Sequence, residues 1–484
     1  MPGELPAGLL RQFAAVVGES HVLTGDAAAG YAVDWTGGFT GHAPAVLRPR
    51  DTGEVAALLA LCADASVAVV PQGGNTGLVG GGVPLHGEVV LSLARLDRLG
   101  PVDLDAGQVS AGAGVSLQQV SDADPSLDLG VFIASRDSAT VGGAVATNAG
   151  GLRVLRYGPM RAQLRGIEAV LSDGTVLSHM AGLVKDNTGY DYPSLLAGSE
   201  GTLAVITAAR LQLVPRMTDP VTVIIGADGP GEVHALARRA VREVGGLASA
   251  EYFTQAGLDL LAQHAGVTPP LRPPTPAYLL LEAAGPGAAE DLAELAADRP
   301  AAVGTGAAER ARLWACRERH PEAAGFVGVP LKLDVSVPAA RWVRLASEVA
   351  GVVAEADPGA LVITYGHVAD GNLHVNVVPG VGEAGAAGRA DTVGGAGPVA
   401  GTGPAAGAGA GAGTGTAAGD GRHEDAVFSF VASLGGSISA EHGIGALKAR
   451  WLPLVRSDAE RALFARLRAA FDPPGILNPH VLPR

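Results

Sequence analysis

Residues Pro71–Pro84 read PQGGNTGLVGGGVP, with six glycines in fourteen positions. Glycine at this density lets backbone N–H groups close on a phosphate and form an anion-binding nest. A flexible surface loop would share that density, but Gln72, Asn75 and Thr76 add side-chain donors that a linker does not need. It is not a Walker loop, because no GK[ST] follows. It is not a dinucleotide GxGxxG turn either, since residues 88–93 read as a strand rather than a helix. Upstream, residues 51–65 open on an Asp/Thr capping signal with Glu54 and run as a helix, and residues 66–70 follow as a strand. A second stretch, Asp137–Gly151 (DSATVGGAVATNAGG), again mixes glycine with Ser138, Thr140, Thr147 and Asn148. Strands are expected at 164–171, 175–178 and 203–207, the last preceded by Ala197–Thr202 (AGSEGT). Three glycine-rich turns beside strands in one block predict an extended, phosphate-containing cofactor held mostly by backbone.

At 484 residues the chain exceeds the size at which one core keeps growing, so two substantial domains are expected. Aromatic residues are only 4% of a chain that is 48% hydrophobic, so the cores must be built from Ala, Val and Leu. A formal charge of −14 argues against nucleic acid or an anionic membrane surface as the main partner. An anionic substrate then needs a local positive site. Cys62 and Cys316 lie far apart without a CxxC, which fits a reducing compartment and excludes a cysteine-based metal site. The first twenty residues lack the basic start and apolar run of a signal peptide, and no transmembrane segment is read. The expected location is cytoplasmic.

A second concentration of chemistry lies at Leu361–Val378, LVITYGHVADGNLHVNVV. Asp370-Gly371 is a two-residue hairpin signal, which would set His367 opposite His374 with Cβ atoms about 5 Å apart. Asn376 would point the same way. A solvated hairpin carrying two histidines would read identically.

After Pro215 the pattern becomes a β–α alternation: strands at 221–227 and 277–285, helices near 231–245 and 287–297. That pattern predicts an α+β substrate domain. Arg317 sits on an expected helix and Lys332 in a strand at 331–337, both candidates for holding a carboxylate. Residues 380–421 are mostly Gly, Ala, Thr and Pro without apolar periodicity, so a disordered insertion with no catalytic role is expected. Helices are expected at 423–434 and 457–470.

PQGGNTGLVGG, VGGAVATNAGG, RYGPMR, KDNTGYD and GSEGTLAVIT together resemble the FAD-binding domain of the vanillyl-alcohol oxidase/p-cresol methylhydroxylase superfamily. Within it they are similar to the D-2-hydroxyacid dehydrogenases, which include D-2-hydroxyglutarate and D-lactate dehydrogenases and the glycolate oxidase flavin subunit. The resemblance implies an α+β protein divided as 1–40 (N-terminal helical segment), 41–219 (FAD-binding), 220–379 (substrate or cap), 380–421 (insertion) and 422–484 (C-terminal completion of both sites). It implies FAD held at Gln72, Gly73, Gly74, Asn75, Thr76, Gly77, Gly80, Gly81, Ser138, Gly142, Gly143, Thr147, Asn148, Gly150, Gly201, Ile206 and Asn478. Covalent members often carry a histidine in or near the first loop, where this chain has Asn75, so non-covalent FAD is implied.

The family's metal ligands match His367, His374 and Glu441, its general base matches His442, and its carboxylate anchors match Arg317 and Lys332. Two imidazoles and a carboxylate with an open position suit Zn²⁺, and also Mn²⁺ or Fe²⁺. Asn376 would orient the substrate hydroxyl. A threonine that the 2-hydroxyglutarate enzymes place four residues after the arginine corresponds to Pro321, which offers no donor. The implied reaction is oxidation of a D-2-hydroxyacid to a 2-oxoacid, with electrons passed to a carrier and a homodimer as a further expectation. The alternatives are an oxidase using O₂ and a flavin subunit of a glycolate oxidase-like complex.

Overall fold

The computed structural model describes residues 5–380 and 421–482. The expectation of disorder at 380–421 therefore lies outside the described residues, apart from its two ends.

The N-terminal half is built on two small sheets. Helix Thr52–Asp64 starts where Asp51 accepts the Glu54 N–H at 2.9 Å, as the capping signal predicts, and buries Val55, Leu58, Leu59 and Cys62. Helix Ala7–Val17 lays Leu9, Phe13 and Val17 into the same cluster. Beneath them runs a four-stranded sheet in the order Val22–Leu23, Val46–Leu47, Val89–Ser92, Val69–Gln72, its last pair parallel. The C-terminus returns to this sheet: Val69 N–H donates to Ile476 O, and Asn478 N–H donates to Val69 O, each at 2.8 Å. The second sheet is centred on the long strand Val205–Pro215, flanked by Gln108–Gly112 and Leu164–Val170.

The first glycine loop leaves strand Val69–Gln72 and packs directly on the second glycine-bearing stretch. That second stretch is not the turn the sequence suggested. Val141–Thr147 is a helix, N-capped by Thr140 and closed by Asn148 in the left-handed conformation. Its two glycines had masked a capped helix whose Val141, Ala144 and Val145 are core. The contact between the stretches is tight. A Cβ on Gly74 would stand 1.9 Å from Ser138 O, whereas one on Gly77 would meet nothing within 4 Å.

The other half is a seven-stranded antiparallel sheet ordered Ala301–Gly304, Val221–Ala227, Ala277–Ala283, Leu247–Thr254, Leu361–His367, Asn372–Val378, Leu331–Ser336. Strand alternation gives it two distinct faces. One face, with Val223, Leu281, Val335 and Val375, packs under helices Pro230–Glu243, Ala339–Ala356 and Arg422–Ser433, around the fully buried Trp342. The other face carries Ile224, Phe253 and Leu280 at one end, beneath helices Gln255–Ala265 and Ala307–Glu318. At its other end that same face carries Glu251, His367, His374, Asn376, Lys332 and Asp334, as the pairings Glu251↔His367, Asp334↔His374 and Lys332↔Asn376 require.

The hairpin departs from expectation in an instructive way. The turn spans four residues, 368–371, and Tyr365 rather than His367 stands opposite His374. Val368 N–H is taken by Ala250 O, and Val337 N–H by Gly371 O. Gly371, at φ +87°, would drive a Cβ to 2.3 Å from Val337 O, so neighbouring strands open the turn by two residues. A shift of two preserves the face. The histidines still share it, diagonally, with ring centroids 5.6 Å apart.

The halves meet where Arg153 pairs with Glu282 at 3.0 Å and Ser249 Oγ donates to Leu152 O at 2.7 Å. At the far edge, Asp357 gathers both ends of the insertion. Its Oδ2 lies 3.3 Å from Gly380 N, 3.3 Å from Arg422 Nη2 and 3.1 Å from His423 Nε2.

Gly74→Ala is expected to destabilise by about 1–3 kcal/mol through overpacking. Gly77→Ala should stay within about 0.5 kcal/mol of the parent. Urea denaturation of both variants checks the contrast.

Candidate active site

Asp334 lies on the middle of the edge strand and is fully buried. Its Oδ2 accepts the backbone N–H groups of Ala440, Glu441 and His442 at 3.0, 2.8 and 3.0 Å. Its Oδ1 accepts Asn372 Nδ2 at 2.7 Å and faces His374 Nδ1 at 3.6 Å. Burial opposes its charge, but His442, Lys448, His374 and these N–H groups together hold the carboxyl well below the ordinary aspartate range. Lys448, also buried, donates to Ile438 O at 2.9 Å beside it.

The segment fixed by Asp334 delivers Glu441 to the two histidines. Glu441 Oε1 stands 3.4 Å from His367 Nε2, and Oε2 3.9 Å from His374 Nε2. The three ligand-type atoms lie within 4.8 Å of one another, which suits a divalent cation. Each imidazole turns its other nitrogen to a buried acid: His367 Nδ1 to Glu251 Oε1 at 2.8 Å, and His374 Nδ1 to Asp334. The hydrogen bond between His367 Nδ1 and Glu251 leaves Nε2 facing Glu441, the usual arrangement around metal-binding histidines, while Asp334 faces His374 Nδ1 from just beyond hydrogen-bond distance. A second cluster of metal-binding residue types, Asp334, His374 and His442, shares His374. There the Asp334 oxygens are already taken by N–H donors, so that carboxylate acts as scaffold.

Burial alone would lower His367, yet Glu251 and Glu441 outweigh it and lift the imidazole to about 9. Burial drives His374 well below its ordinary value. Burial also pushes Glu441 up to about 7, against the pull of His367. His442 stacks at 5.8 Å from His374 and is lowered by burial, so it is neutral near pH 7.

The two expected anchors differ in character. Arg317 is buried and already paired, with Nη2 2.9 Å from Glu251 Oε2 and its guanidinium 4.8 Å above the Tyr365 ring. Its Nε is buried and has no hydrogen-bond partner among the described residues. Lys332 has no carboxylate partner among the described residues; it lies 5.9 Å from the exposed Trp35 ring and is lowered by burial. Asn376, opposite Lys332, donates to Tyr365 Oη at 3.4 Å, and its buried Oδ1 has no hydrogen-bond partner among the described residues. Pro321 falls in the first turn of the short helix His320–Ala323.

The expected flavin residues gather at the junction of the first loop, helix Val141–Thr147 and the 197–202 turn. Several of their side chains serve that junction itself. Gln72 Nε2 donates to Tyr31 O and Gly82 O, and Asn75 Nδ2 donates to Val33 O. Asn478 Nδ2 ties Gly81 O to Glu200 O, at 2.9 Å each. Gly80 packs on Phe39, Gly142 on Ala113, Gly201 on Pro71, and Ile206 lies in the core. Gly73 approaches Thr140, while Gly143 has only the Thr140 hydroxyl near it. Gly74, Gly77, Ser138 and Thr147 remain exposed beside the half-buried Thr76, and Ser199 Oγ is buried without a partner. Backbone N–H groups and hydroxyls free of competing charge fit a diphosphate-bearing cofactor. Gly150 brings this junction to the acid–histidine cluster, since a Cβ there would stand 3.1 Å from Glu441 Oε1.

Glu251, Asp334, Glu200 and Lys448 escaped sequence reasoning. Alternation in LKLDVS could have placed Asp334 on the Lys332 face. Nothing in the chain could show that its partners are backbone groups up to 108 residues away.

Family comparison now defines the class. The FAD binding domain family matches residues 43–179, and the FAD linked oxidases C-terminal domain family matches residues 218–396 and 414–482. The chain belongs to the FAD-linked oxidase family and is an FAD-binding oxidoreductase. It is 35% identical over 462 residues to the mitochondrial D-2-hydroxyglutarate dehydrogenase of Bos taurus, covering 93% of this chain and 78% of that one. It is 34% identical to the D-2-hydroxyglutarate dehydrogenase of Xanthomonas citri pv. viticola, covering 93% and 91%. The D-2-hydroxyglutarate–pyruvate transhydrogenase of Saccharomyces cerevisiae is 31% identical, covering 97% and 93%. Among solved structures, 4-ethylphenol oxidase from Gulosibacter chungangensis shares the fold with TM-score 0.70 at 16% identity, covering 99% and 97%. Alkyldihydroxyacetonephosphate synthase does so with TM-score 0.68 at 14% identity, covering 99% and 85%. The fold is thus the α+β vanillyl-alcohol oxidase type, as the motifs implied. The cytoplasmic expectation is withdrawn, because the relatives from cattle, rat and zebrafish are named as mitochondrial. No described helix is long and apolar enough to cross a membrane.

Asp334→Asn should lower stability at pH 7 by about 3–5 kcal/mol, the cost of breaking a buried charged network. The folded carboxyl is depressed, so its contribution is present above the unfolded value near 4 and is lost as pH falls below it. Urea denaturation should therefore show a smaller gap between variant and parent at pH 3 than at pH 7.

Proposed function

We propose that the protein oxidises a D-2-hydroxyacid to the 2-oxoacid, D-2-hydroxyglutarate being the first candidate, with non-covalent FAD and a divalent cation at His367, His374 and Glu441. One observation carries the metal reading: two imidazoles turn Nε2 to one carboxylate while their Nδ1 atoms face buried acids. The substrate class is supported by the names of the relatives together with the local cations Lys332 and Arg317. Non-covalent attachment is supported by Asn75, whose amide is engaged with Val33 O.

Bound FAD would supply a hydride acceptor, and a cation held by His367, His374 and Glu441 would supply the charge that lowers the hydroxyl pKa. The chain's own residues do the rest. Lys332 receives the substrate carboxylate, because it is a half-buried cation with no carboxylate partner among the described residues. Arg317 adds its unpaired Nε, while Glu251 holds the remainder of the guanidinium still. His442 takes the hydroxyl proton: burial keeps it neutral, and Asp334, 3.9 Å from Nδ1, leaves Nε2 as the accepting atom. Asn376 Oδ1 accepts a hydrogen bond from the substrate side. Electrons leave through a carrier.

EDTA should abolish reduction of a dye acceptor by D-2-hydroxyglutarate while the protein stays yellow, and Zn²⁺ or Mn²⁺ should restore it. Full turnover in protein shown metal-free by elemental analysis would exclude the cation. In a parallel screen, D-lactate or D-malate outperforming D-2-hydroxyglutarate would replace the named acid, and peroxide release matching turnover would replace the carrier with O₂. His442→Ala should retain flavin and metal yet lose roughly 10²–10⁴-fold in rate; near-parental turnover would remove it as base. Protons on His367 (about 9) and Glu441 (about 7) must leave before a cation enters, so Zn²⁺ affinity should climb as pH rises from 6 to 9. Chelator competition measures this, and a flat profile would contradict the ligand set.

A further inference from the structure

We propose that Glu200 is a positioning residue that couples the flavin site to the metal site, so that FAD and the divalent cation bind cooperatively. This rests on the metal reading above.

The backbone of residues 440–445 is divided between two carboxylates. Asp334, from the seven-stranded sheet, takes the N–H groups of Ala440, Glu441 and His442. Glu200, from the flavin half, takes those of Ile444 and Gly445 at 2.9 and 2.7 Å. The approach is close: a Cβ on Gly443 would sit 3.0 Å from the Glu200 carboxyl carbon. Glu200 itself holds φ +52°, a left-handed conformation that a side-chain-bearing residue keeps only when its surroundings impose it. Those surroundings are the flavin junction. Glu200 N–H donates to Ala146 O at 2.8 Å, in the glycine-bearing helix. Its carbonyl accepts from the Asn478 amide, which also holds Gly81 O of the first loop. A second connection runs beside it, since Val79 O of the first loop accepts from Ala446 and Leu447 at 3.0 and 3.2 Å.

A cation gripped by Glu441 restrains the 440–445 segment, and the Glu200 side chain is the hydrogen-bonded link from within that segment to the flavin half. Restraint at one end lowers the ordering cost at the other, and such coupling is reciprocal. FAD should therefore leave more slowly when the metal is bound.

The test follows FAD release from the holoprotein by flavin fluorescence, with Zn²⁺ saturating or after EDTA, metal content being verified in each sample. Release should be on the order of tenfold faster without Zn²⁺. Glu200→Gln, which keeps the shape but loses the charge and one acceptor, should bring the ratio of the two rates close to one. Glu200→Asp, able to reach only one of the two N–H groups, should give an intermediate ratio. His367→Ala should release FAD at the metal-free rate whether or not Zn²⁺ is added. A ratio of one in wild-type protein that measurably holds Zn²⁺ overturns the proposal and leaves the metal reading intact, and this holds even if the Glu200 variants do not fold. A Glu200→Gln variant with the wild-type ratio overturns it too. Wild-type protein that binds no Zn²⁺ sinks the metal reading and the coupling together.

Discussion

A single buried carboxylate organises the candidate active site of this molecule. Asp334 gathers three consecutive backbone N–H groups on one oxygen, and by doing so fixes Glu441 and His442 on a segment that has no helix or strand to hold it. An uncompensated buried charge costs several kcal/mol, so Asp334 is tolerable only because donors surround it on every side. That requirement works in both directions: the segment satisfies the acid, and the acid shapes the segment. The histidines follow from the sheet. His374 lies opposite Asp334 in the ladder and His367 opposite Glu251, so each ligand-type histidine is backed by an acid on the neighbouring strand.

Much of the fold was legible because its signals are local. The Asp51–Glu54 cap, the amphipathic helices and the alternating strands were each readable from a few residues. The first glycine loop suggested an anion cradle through its glycine density, but its Gln72 and Asn75 amides are engaged with backbone carbonyls. The second did not announce its helix, because Gly142 and Gly143 obscure a periodicity that Val141, Ala144 and Val145 restore only once the core is seen. The hairpin failed for a related reason. Asp370-Gly371 is a strong two-residue turn signal in isolation, but here Ala250 and Val337 compete for the turn's backbone groups. The histidines survived the error because strand chemistry depends on parity, and the error was an even number of residues.

The candidate site was legible in its proposed base and ligands and opaque in its supporting acids. His367, His374, Glu441 and His442 sit in distinctive sequence surroundings. Glu251 is one acid in an ordinary strand, ASAEYFT, and its dual engagement of His367 and Arg317 exists only in three dimensions. The same is true of Arg317, which sequence presents as a free cation and the fold presents as half of a buried pair. Charge balance in a water-poor site is a property of the assembled sheet, so local sequence cannot report it.

Asp357 carries a consequence of another kind. By holding Gly380, Arg422 and His423 on one oxygen, it joins the chain just past strand Asn372–Val378 to the start of helix Arg422–Ser433. Loop-closure entropy grows only with the logarithm of length, and a fastened base pays most of it once. The closing point of the Gly/Ala-rich stretch is thereby set by described residues on both sides of it. Asp357 thus makes neighbours of Gly380 and Arg422, which the sequence separates by a long Gly/Ala-rich stretch.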